Sequence, residues 1–299
     1  MDRLLEPYFA ANKIKPAGPV DDRVFARRVY LDVVGLLPPP GELEKFVRAR
    51  SSDKRVQLVQ QLLADNENYA LHWLSFWNDM LRNDYKGTGY IDGGRKQITQ
   101  WLFSSLETNK PFNQFVGELI NPTPEAEGFT KGIVWRGVVN ASQTPPMQAA
   151  QSISQVFMGV NLKCASCHDS FINDWQLSDA YGLASVYADG PREMVHCDKP
   201  TGKMAAPKFI YSQLGELAVS TNKAIRLEQL ARLITKREDG RLTRTLVNRL
   251  WQKFFGRGLV EPVDDMEQPA WNAALLDWLA EDFADHGYDV KHLIEVMLT

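Results

Sequence analysis

The segment Lys163-Cys164-Ala165-Ser166-Cys167-His168 carries two thiols three residues apart, followed at once by an imidazole. Cys-x-x-Cys-His is the pattern of covalent attachment of a c-type haem. Each thiol can form a thioether to one vinyl group of the same porphyrin, and the histidine can offer a ring nitrogen to the iron. The pattern therefore predicts one covalent haem c on Cys164 and Cys167, with His168 as the proximal iron ligand.

The same side chains permit two other interpretations. Cys164 and Cys167 could form a redox disulfide, or they could bind zinc together with Cys197 and with His168 or His196. Three cysteines in the whole chain are too few for a disulfide scaffold. Zinc therefore stays open as the alternative cofactor, and the role of Cys197 stays open with it.

A haem iron held by one histidine has a second axial position. We expect any protein ligand there to come from residues 190–208, which have the composition of a long irregular loop and contain Met194, His196 and Met204. Methionine would raise the reduction potential and suit an electron carrier, whereas histidine would lower it. We favour His196 because it neighbours Cys197 and a charged turn, unlike a residue that fills the core.

Helices are the elements that must position the motif. Pro145-Pro146 opens a predicted helix that runs to Gly159 and leads into the motif. An aromatic-rich helix contains His72, which we expect to be a core histidine; its aromatic face either packs in the core or walls the porphyrin. The spacing of apolar residues and the capping signals predict helices over 21–34, 53–64, 68–82, 95–107, 145–159, 221–235, 242–255 and 273–285, with shorter ones over 40–48, 111–120, 179–188 and 290–298.

Two stretches of the chain lack a helical pattern. The four glycines of residues 84–94 predict a surface loop. Residues 133–139 are strand-like, but no partner strand is evident, so we expect an extended segment there rather than a sheet.

Composition excludes several classes of protein. At 299 residues, 44% hydrophobic and 24% charged, the chain has the make-up of a globular protein with a substantial core. Its net charge of −3 gives no electrostatic footprint for nucleic acid. No apolar run reaches the length of about 18 residues that a transmembrane helix needs. We therefore expect no nucleic-acid partner and no membrane span.

The ends of the chain bear on its location. Haem c is normally attached outside the cytoplasm, yet the first residues lack the apolar core of a signal peptide. Residues 297–299 fall inside an apolar-periodic segment that has no stop signal. We expect an exported protein, periplasmic or at the cell surface, whose sequence is trimmed at both ends.

Three blocks of sequence resemble the planctomycete-type cytochrome c-like proteins, a bacterial family of two neighbouring domains of unknown function (PSCyt/PSD). The blocks lie in the family's order and span nearly the whole chain. They are Arg27-Arg28-Val29-Tyr30-Leu31-Asp32 with Gly35-Leu36-Leu37-Pro38-Pro39, the segment Phe157–Asp169 around the motif, and Asn248-Arg249-Leu250-Trp251 with Phe254–Val260 and Leu276–Ala280.

This resemblance implies an all-α fold. An irregular multi-helix cytochrome c-like domain with long loops would cover residues 1–210, and the truncated start of a second helical domain would cover 211–299. One departure concerns the motif, because many members follow its aspartate with His-Pro-Phe and this chain has Ser170-Phe171. A role of that second histidine cannot be carried over.

The sequence thus favours a c-type haem-binding redox protein that serves electron transfer with an unknown redox partner protein. One alternative is a haem-dependent oxidoreductase that acts on a carbohydrate or another small molecule. The other alternative is a non-haem module with a zinc or disulfide cysteine site.

Overall fold

A computed structural model describes residues 1–83 and 96–299. Within them the chain forms fourteen α-helices and one two-stranded antiparallel sheet, so the predicted all-α fold class is confirmed. The glycine-rich loop predicted at 84–94 lies outside the described residues. The helices are α1 Asp2–Ala11, α2 Asp22–Val33, α3 Pro40–Arg48, α4 Lys54–Ala64, α5 Asn66–Leu81, α6 Thr99–Glu107, α7 Phe112–Ile120, α8 Gly128–Lys131, α9 Pro145–Met158, α10 Leu177–Tyr187, α11 Lys223–Ile234, α12 Arg241–Phe255, α13 Ala273–Asp285 and α14 Val290–Leu298.

The capping signals act as the sequence predicts. The Asp21 carboxylate accepts a hydrogen bond from the Val24 N–H at 3.0 Å and fixes the start of α2. Gly159 ends α9 in the left-handed conformation, with φ +60°. All the predicted helices are present, although α6 starts at Thr99 rather than at residue 95. Helix boundaries are therefore less exact than the helices themselves.

The first helix, α1, has no counterpart among the predictions. It carries a proline inside the helix and has no side-chain cap, so its sequence signals are weak. Tertiary contacts stabilise the helix instead. The centroid of the Tyr8 ring lies 4.5 Å from that of Trp271, and the Asn272 side chain donates to the Leu4 carbonyl at 2.9 Å.

The helix that leads into the motif, α9, lies at the centre of the fold. It packs against α5, α8, α10 and α12, and most of its residues are buried. The aromatic face of α5 also belongs to the core, where the Trp73 ring contacts Phe76 and Phe254 and its indole donates to the Val33 carbonyl. That face is therefore occupied by protein side chains.

Residues 190–208, which the sequence suggests are irregular, instead form the sheet. Strands β1 Arg192–His196 and β2 Lys199–Ala205 pair in an antiparallel hairpin, with a bulge between Glu193 and Val195. Cys197 adopts φ +54° in the two-residue turn, a position where asparagine or glycine would have signalled a hairpin. Pro200 and Gly202 also weaken the strand pattern of β2.

The C-terminal helices pack directly on the N-terminal part of the chain. Helix α11 contacts α7 and α10, and α12 contacts α9. Residues 133–139 stay outside the two-stranded sheet, as predicted, although Trp135 forms an isolated bridge and the chain bends at residues 136 and 137. Across the part of the chain that the structure describes, we find no helix with both the length and the apolar character that crossing a bilayer requires.

Candidate functional site

The Cys-x-x-Cys-His motif forms a short helical turn directly after α9. The N–H of Ser166 donates to the Leu162 carbonyl at 2.9 Å, and the N–H of His168 donates to the Cys164 carbonyl at 3.2 Å. Residues three apart on such a turn share one face, so Cys164 and Cys167 lie on the same side.

The turn buries one face and exposes the other. Ala165 and Ser166 are buried, whereas Cys164, Cys167 and His168 are half-buried. The Ser166 hydroxyl accepts a hydrogen bond from the Gln151 amide at 2.8 Å, which ties the turn to α9. No disulfide involves Cys164 or Cys167, so the face that carries the motif presents two free thiols.

The His168 ring is fixed by its own backbone. Its Nδ1 lies 2.7 Å from the Asp169 carbonyl oxygen, and because a carbonyl can only accept, Nδ1 carries the proton. In the neutral imidazole the lone pair is then on Nε2, which is free to ligate a metal. The Asp169 carboxylate also accepts from the Leu177 N–H at 2.9 Å, which connects the motif to the start of α10.

The hairpin tip docks on the motif. The Cys197 N–H donates to the Cys167 carbonyl at 2.7 Å, and the Cys197 thiol also hydrogen bonds with the Cys167 side chain. That hydrogen bond, together with some burial, raises the pKa of Cys197. The ring centroids of His168 and His196 are 6.4 Å apart. The structure thus brings Cys197 and His196 beside the motif.

The candidate sixth ligands occupy different positions on the hairpin. His196 lies at the end of β1 and is exposed, whereas Met194 is half-buried and packs on the core. Met204 is exposed on β2 and pairs with Glu193, toward the end of the hairpin away from the tip. The His196 ring neighbours that of His168 in the motif, so His196 stays the favoured prediction for the sixth ligand.

Cysteine and histidine donors around the motif do not converge as they would on a metal. Among the described residues, no three ligand atoms drawn from Cys164, Cys167, Cys197 and the two neighbouring histidines all lie within 4.8 Å of one another. A tetrahedral zinc site would need such convergence. The arrangement found here is a thiol pair and a histidine pair.

An apolar patch borders the motif. Phe171 is 86% exposed and Ile172 is 68% exposed, and the Phe171 ring centroid lies 4.5 Å from that of His168. A flat apolar group bound to the motif would cover part of this surface. Ser170, where many relatives have histidine, accepts a weak hydrogen bond from the Ile172 N–H at 3.3 Å.

A cavity of about 610 Å³ lies on the other side of the turn. Lys163 and Ser166 line it, together with glutamines of α9, but Cys164, Cys167 and His168 do not. The thiols and the imidazole therefore lie on a different side of the turn from this cavity.

Two buried arginines from the C-terminal helices hold the helices on either side of the motif. Arg249 of α12 donates to the Gln155 and Val156 carbonyls at the end of α9 and pairs with Asp264 at 2.8 Å. Arg226 of α11 donates to the Ala188 carbonyl at the end of α10 at 2.6 Å. Positive charge at a helix C-terminus is favourable, since it satisfies the last carbonyls and opposes the helix dipole. The sequence showed both arginines only as members of helices.

His72 is a core histidine, as expected from the sequence. It is half-buried on α5, and burial lowers its pKa. A Cβ placed on Gly35 would lie 2.4 Å from His72 Nδ1, so the glycine is needed where α2 ends against this ring. His72 therefore has a structural role at that contact.

Two protein-family models match the chain. PSCyt2, described as a protein of unknown function (DUF1549), matches residues 1–191, and PSD1, described as a protein of unknown function (DUF1553), matches residues 226–299. No curated protein matches the chain, and no solved structure does.

Proposed function

The chain belongs to the PSCyt2 family of proteins of unknown function, and we propose that within it this protein binds one c-type haem covalently and serves electron transfer. Cys164 and Cys167 would hold the porphyrin, and His168 would ligate the iron. The observation that carries the proposal is the hydrogen bond from His168 Nδ1 to the Asp169 carbonyl, because it leaves Nε2 for a metal.

Three features of the chain fit the group. Both thiols are free and lie on one face of a helical turn. The histidine tautomer is set by the backbone. Phe171 and Ile172 supply an exposed apolar surface beside the motif that a porphyrin would shield from water. When bound, a haem would supply a one-electron ferric/ferrous couple.

Residues around the motif would have specific roles in haem binding. Gln151 and Ser166 hold the turn against α9, so that both thiols face the same way. Asp169 orients His168 through its carbonyl and fixes the start of α10 through its carboxylate. His196, with Met194 and Met204 as alternatives, is the proposed sixth ligand. Since haem c is attached outside the cytoplasm, the proposal includes export of the protein.

Coexpression of the full chain with a haem-c maturation system tests the proposal. We expect haem to remain on the wild-type chain after denaturation, with the mass of one haem and a haem-c pyridine haemochrome spectrum. The Cys164→Ser/Cys167→Ser variant should lose it, whereas Cys197→Ser, a matched thiol deletion in the same cluster, should retain it. A wild-type chain that gains no covalent haem under these conditions would contradict the proposal.

The same loaded protein identifies the sixth ligand. Replacement of His196, Met194 and Met204 one at a time should change the low-spin absorption spectrum for the true ligand only. If all three variants keep the parent spectrum, the ligand lies elsewhere.

One observation favours a second function. The Cys197 N–H donates to the Cys167 carbonyl at 2.7 Å, which places two thiols beside each other as in a dithiol that can be oxidised. We propose thiol–disulfide redox chemistry as the alternative. A thiol count on the purified protein with and without reductant separates the two, because thioether formation consumes Cys164 and Cys167 irreversibly.

A further inference from the structure

Far from the motif in sequence, Asp282 and His286 of α13 meet His292 of α14. One ligand atom from each of the three side chains can be chosen so that all lie within 4.8 Å of one another. His292 Nε2 lies 2.8 Å from Asp282 Oδ2, and the two imidazole rings stack with centroids 3.8 Å apart. We infer that these residues form a binding site for a divalent transition metal of the zinc class.

The donor types match that class of metal. Zinc sites of the open kind use three protein ligands drawn from histidine nitrogens and carboxylate oxygens, with a solvent molecule in the fourth position. The side chain of His286 is 51% exposed, whereas those of Asp282 and His292 are 19% and 27% exposed. Two ligands are thus anchored in the protein surface, and the third leaves one side of the site open to solvent.

The helices hold the ligands in place. Asp282 lies in the last turn of α13, and His286 caps its end with an N–H that donates to the Asp282 carbonyl at 3.0 Å, so the two side chains lie on one face. The Asp289 side chain accepts from the His292 N–H at 3.0 Å and fixes the start of α14, which sets the position of the third ligand. The Nδ1–H of His286 donates to the Asp282 carbonyl at 2.8 Å, an outer hydrogen bond of the kind that orients metal-binding histidines.

Little movement is needed to admit an ion. Two ligands at about 2.1 Å from zinc in tetrahedral geometry are about 3.4 Å apart. The present 2.8 Å between His292 Nε2 and Asp282 Oδ2 would have to widen by about 0.6 Å. The ion would take the place of the hydrogen that now lies between these two atoms, and that proton would move to Nδ1 of His292 by exchange with solvent, so that Nε2 ligates as a neutral imidazole.

The surrounding charges favour a cation. Three acidic residues flank the ligands along the chain: Glu281, Asp285 and Asp289. The basic group Arg237 forms ion pairs with Glu281 and Asp285. A simple hydrogen bond between Asp282 and His292 would account for one pair of residues. It does not account for the second imidazole, which stacks on the first and, with its Nδ1–H bound to the Asp282 carbonyl, keeps Nε2 as its ligand atom.

The test uses the full chain without haem, with Cys164, Cys167 and Cys197 replaced by serine so that thiols cannot bind the probe. Zinc is titrated by calorimetry, and cobalt(II) is titrated by visible absorption. We expect one bound ion per chain and a cobalt spectrum of low coordination number. His292→Ala and Asp282→Asn should each weaken binding at least tenfold. Glu281→Gln, which removes the same charge from the neighbouring position of α13, should change the affinity less than threefold.

Circular dichroism on each variant shows that the fold is retained. If the serine background does not fold, the wild-type chain with alkylated thiols takes its place. Absence of a bound ion in the folded parent, or equal weakening by Asp282→Asn and Glu281→Gln, would overturn the assignment. The inference is independent of haem binding, so its outcome and that of the proposed function are distinguishable.

Discussion

Arg249 Nη2 lies 2.7 Å from the Gln155 carbonyl oxygen, across the contact between α12 and α9. The arginine is buried, and it also donates to the Val156 carbonyl and to Asp264. A single side chain from the C-terminal part of the chain therefore completes the end of the helix that leads into the Cys-x-x-Cys-His motif.

Arg249→Met should destabilise the protein strongly. It leaves two helix-terminal carbonyls without their donor, whereas the Asp264 side chain is 44% exposed and can be solvated, so we expect a cost of about 2–3 kcal/mol. Arg244→Met, on the same helix, breaks the exposed pair of Arg244 with Asp277 and should cost less than about 1 kcal/mol. Urea unfolding of both variants measures the difference, and similar values for the two would show that the Arg249 contacts contribute little.

Gly159→Ala should be more costly than Gly256→Ala, although both glycines end helices in the left-handed conformation. That conformation costs any other L-residue about 1–2 kcal/mol. A Cβ on Gly159 would also lie 2.2 Å from Met266 Cγ, whereas one on Gly256 would meet open space. We expect Gly159→Ala to cost about 1–3 kcal/mol more in the free energy of unfolding. Adding Met266→Ala removes Cγ but keeps Cβ at 2.7 Å, so it should recover part of the loss. No recovery would rule out the contact with Cγ as the cause.

Asp239 should make stability depend on pH. The residue is buried, neither carboxylate oxygen has a hydrogen-bond partner within the described chain, and burial raises its pKa to about 7 despite the opposing charge of Arg241. The folded state therefore binds this proton more tightly than the unfolded state does. The tighter binding of this proton contributes to the free energy of unfolding. The contribution is fully present below about pH 4 and is lost as the pH rises through about 7, a change of about 4 kcal/mol at most.

The matching variant is Asp239→Asn. It should raise the free energy of unfolding at pH 8 by about 2 kcal/mol and flatten the fall between pH 4 and 7. Glu238→Gln, an exposed neighbour, should stay within about 0.5 kcal/mol of the parent at every pH. Parallel pH profiles for Asp239→Asn and the parent would place the titrating group elsewhere.

In the chain without haem, oxidised glutathione should join Cys167 to Cys197. The Cys197 N–H donates to the Cys167 carbonyl at 2.7 Å, so the main chains of the two cysteines are in contact and their thiols are neighbours. The glutathione disulfide is reduced to two thiols as the protein disulfide forms. Peptide mapping by mass spectrometry identifies the pair, with Cys197→Ser as the control that should react more slowly. Predominance of a Cys164–Cys167 disulfide would refute this prediction.

The helices were predictable because their apolar spacing and caps act locally. Asp21 and Pro145 lie at or beside the starts of α2 and α9, where the sequence suggests. The hairpin at 192–205 could not be read in the same way, since Cys197 in its turn and Pro200 in β2 are poor local signals. Its formation depends on docking against the motif, which is a tertiary contact.

In the candidate site, too, local features were predictable from the sequence and tertiary contacts were not. The spacing of Cys164, Cys167 and His168 was sufficient to place them on one turn. The meeting of His286 with His292 was not foreseen, because it requires two helices to turn back on each other. The two histidines are six positions apart in the sequence, a spacing that predicts no shared helix face.

Arg226 bears on how this kind of protein can be inherited. It is the first residue of the PSD1 match. Its guanidinium donates to the Val186 and Ala188 carbonyls at the end of α10. It also donates to the Ser220 and Thr221 carbonyls, in the segment between the hairpin and α11. The border between the two family matches is therefore not a border of folding. A gene rearrangement that separated the two segments would leave the carbonyls of the first segment without their donor and the guanidinium of Arg226 without its acceptors. The contacts therefore favour inheritance of both segments within one gene.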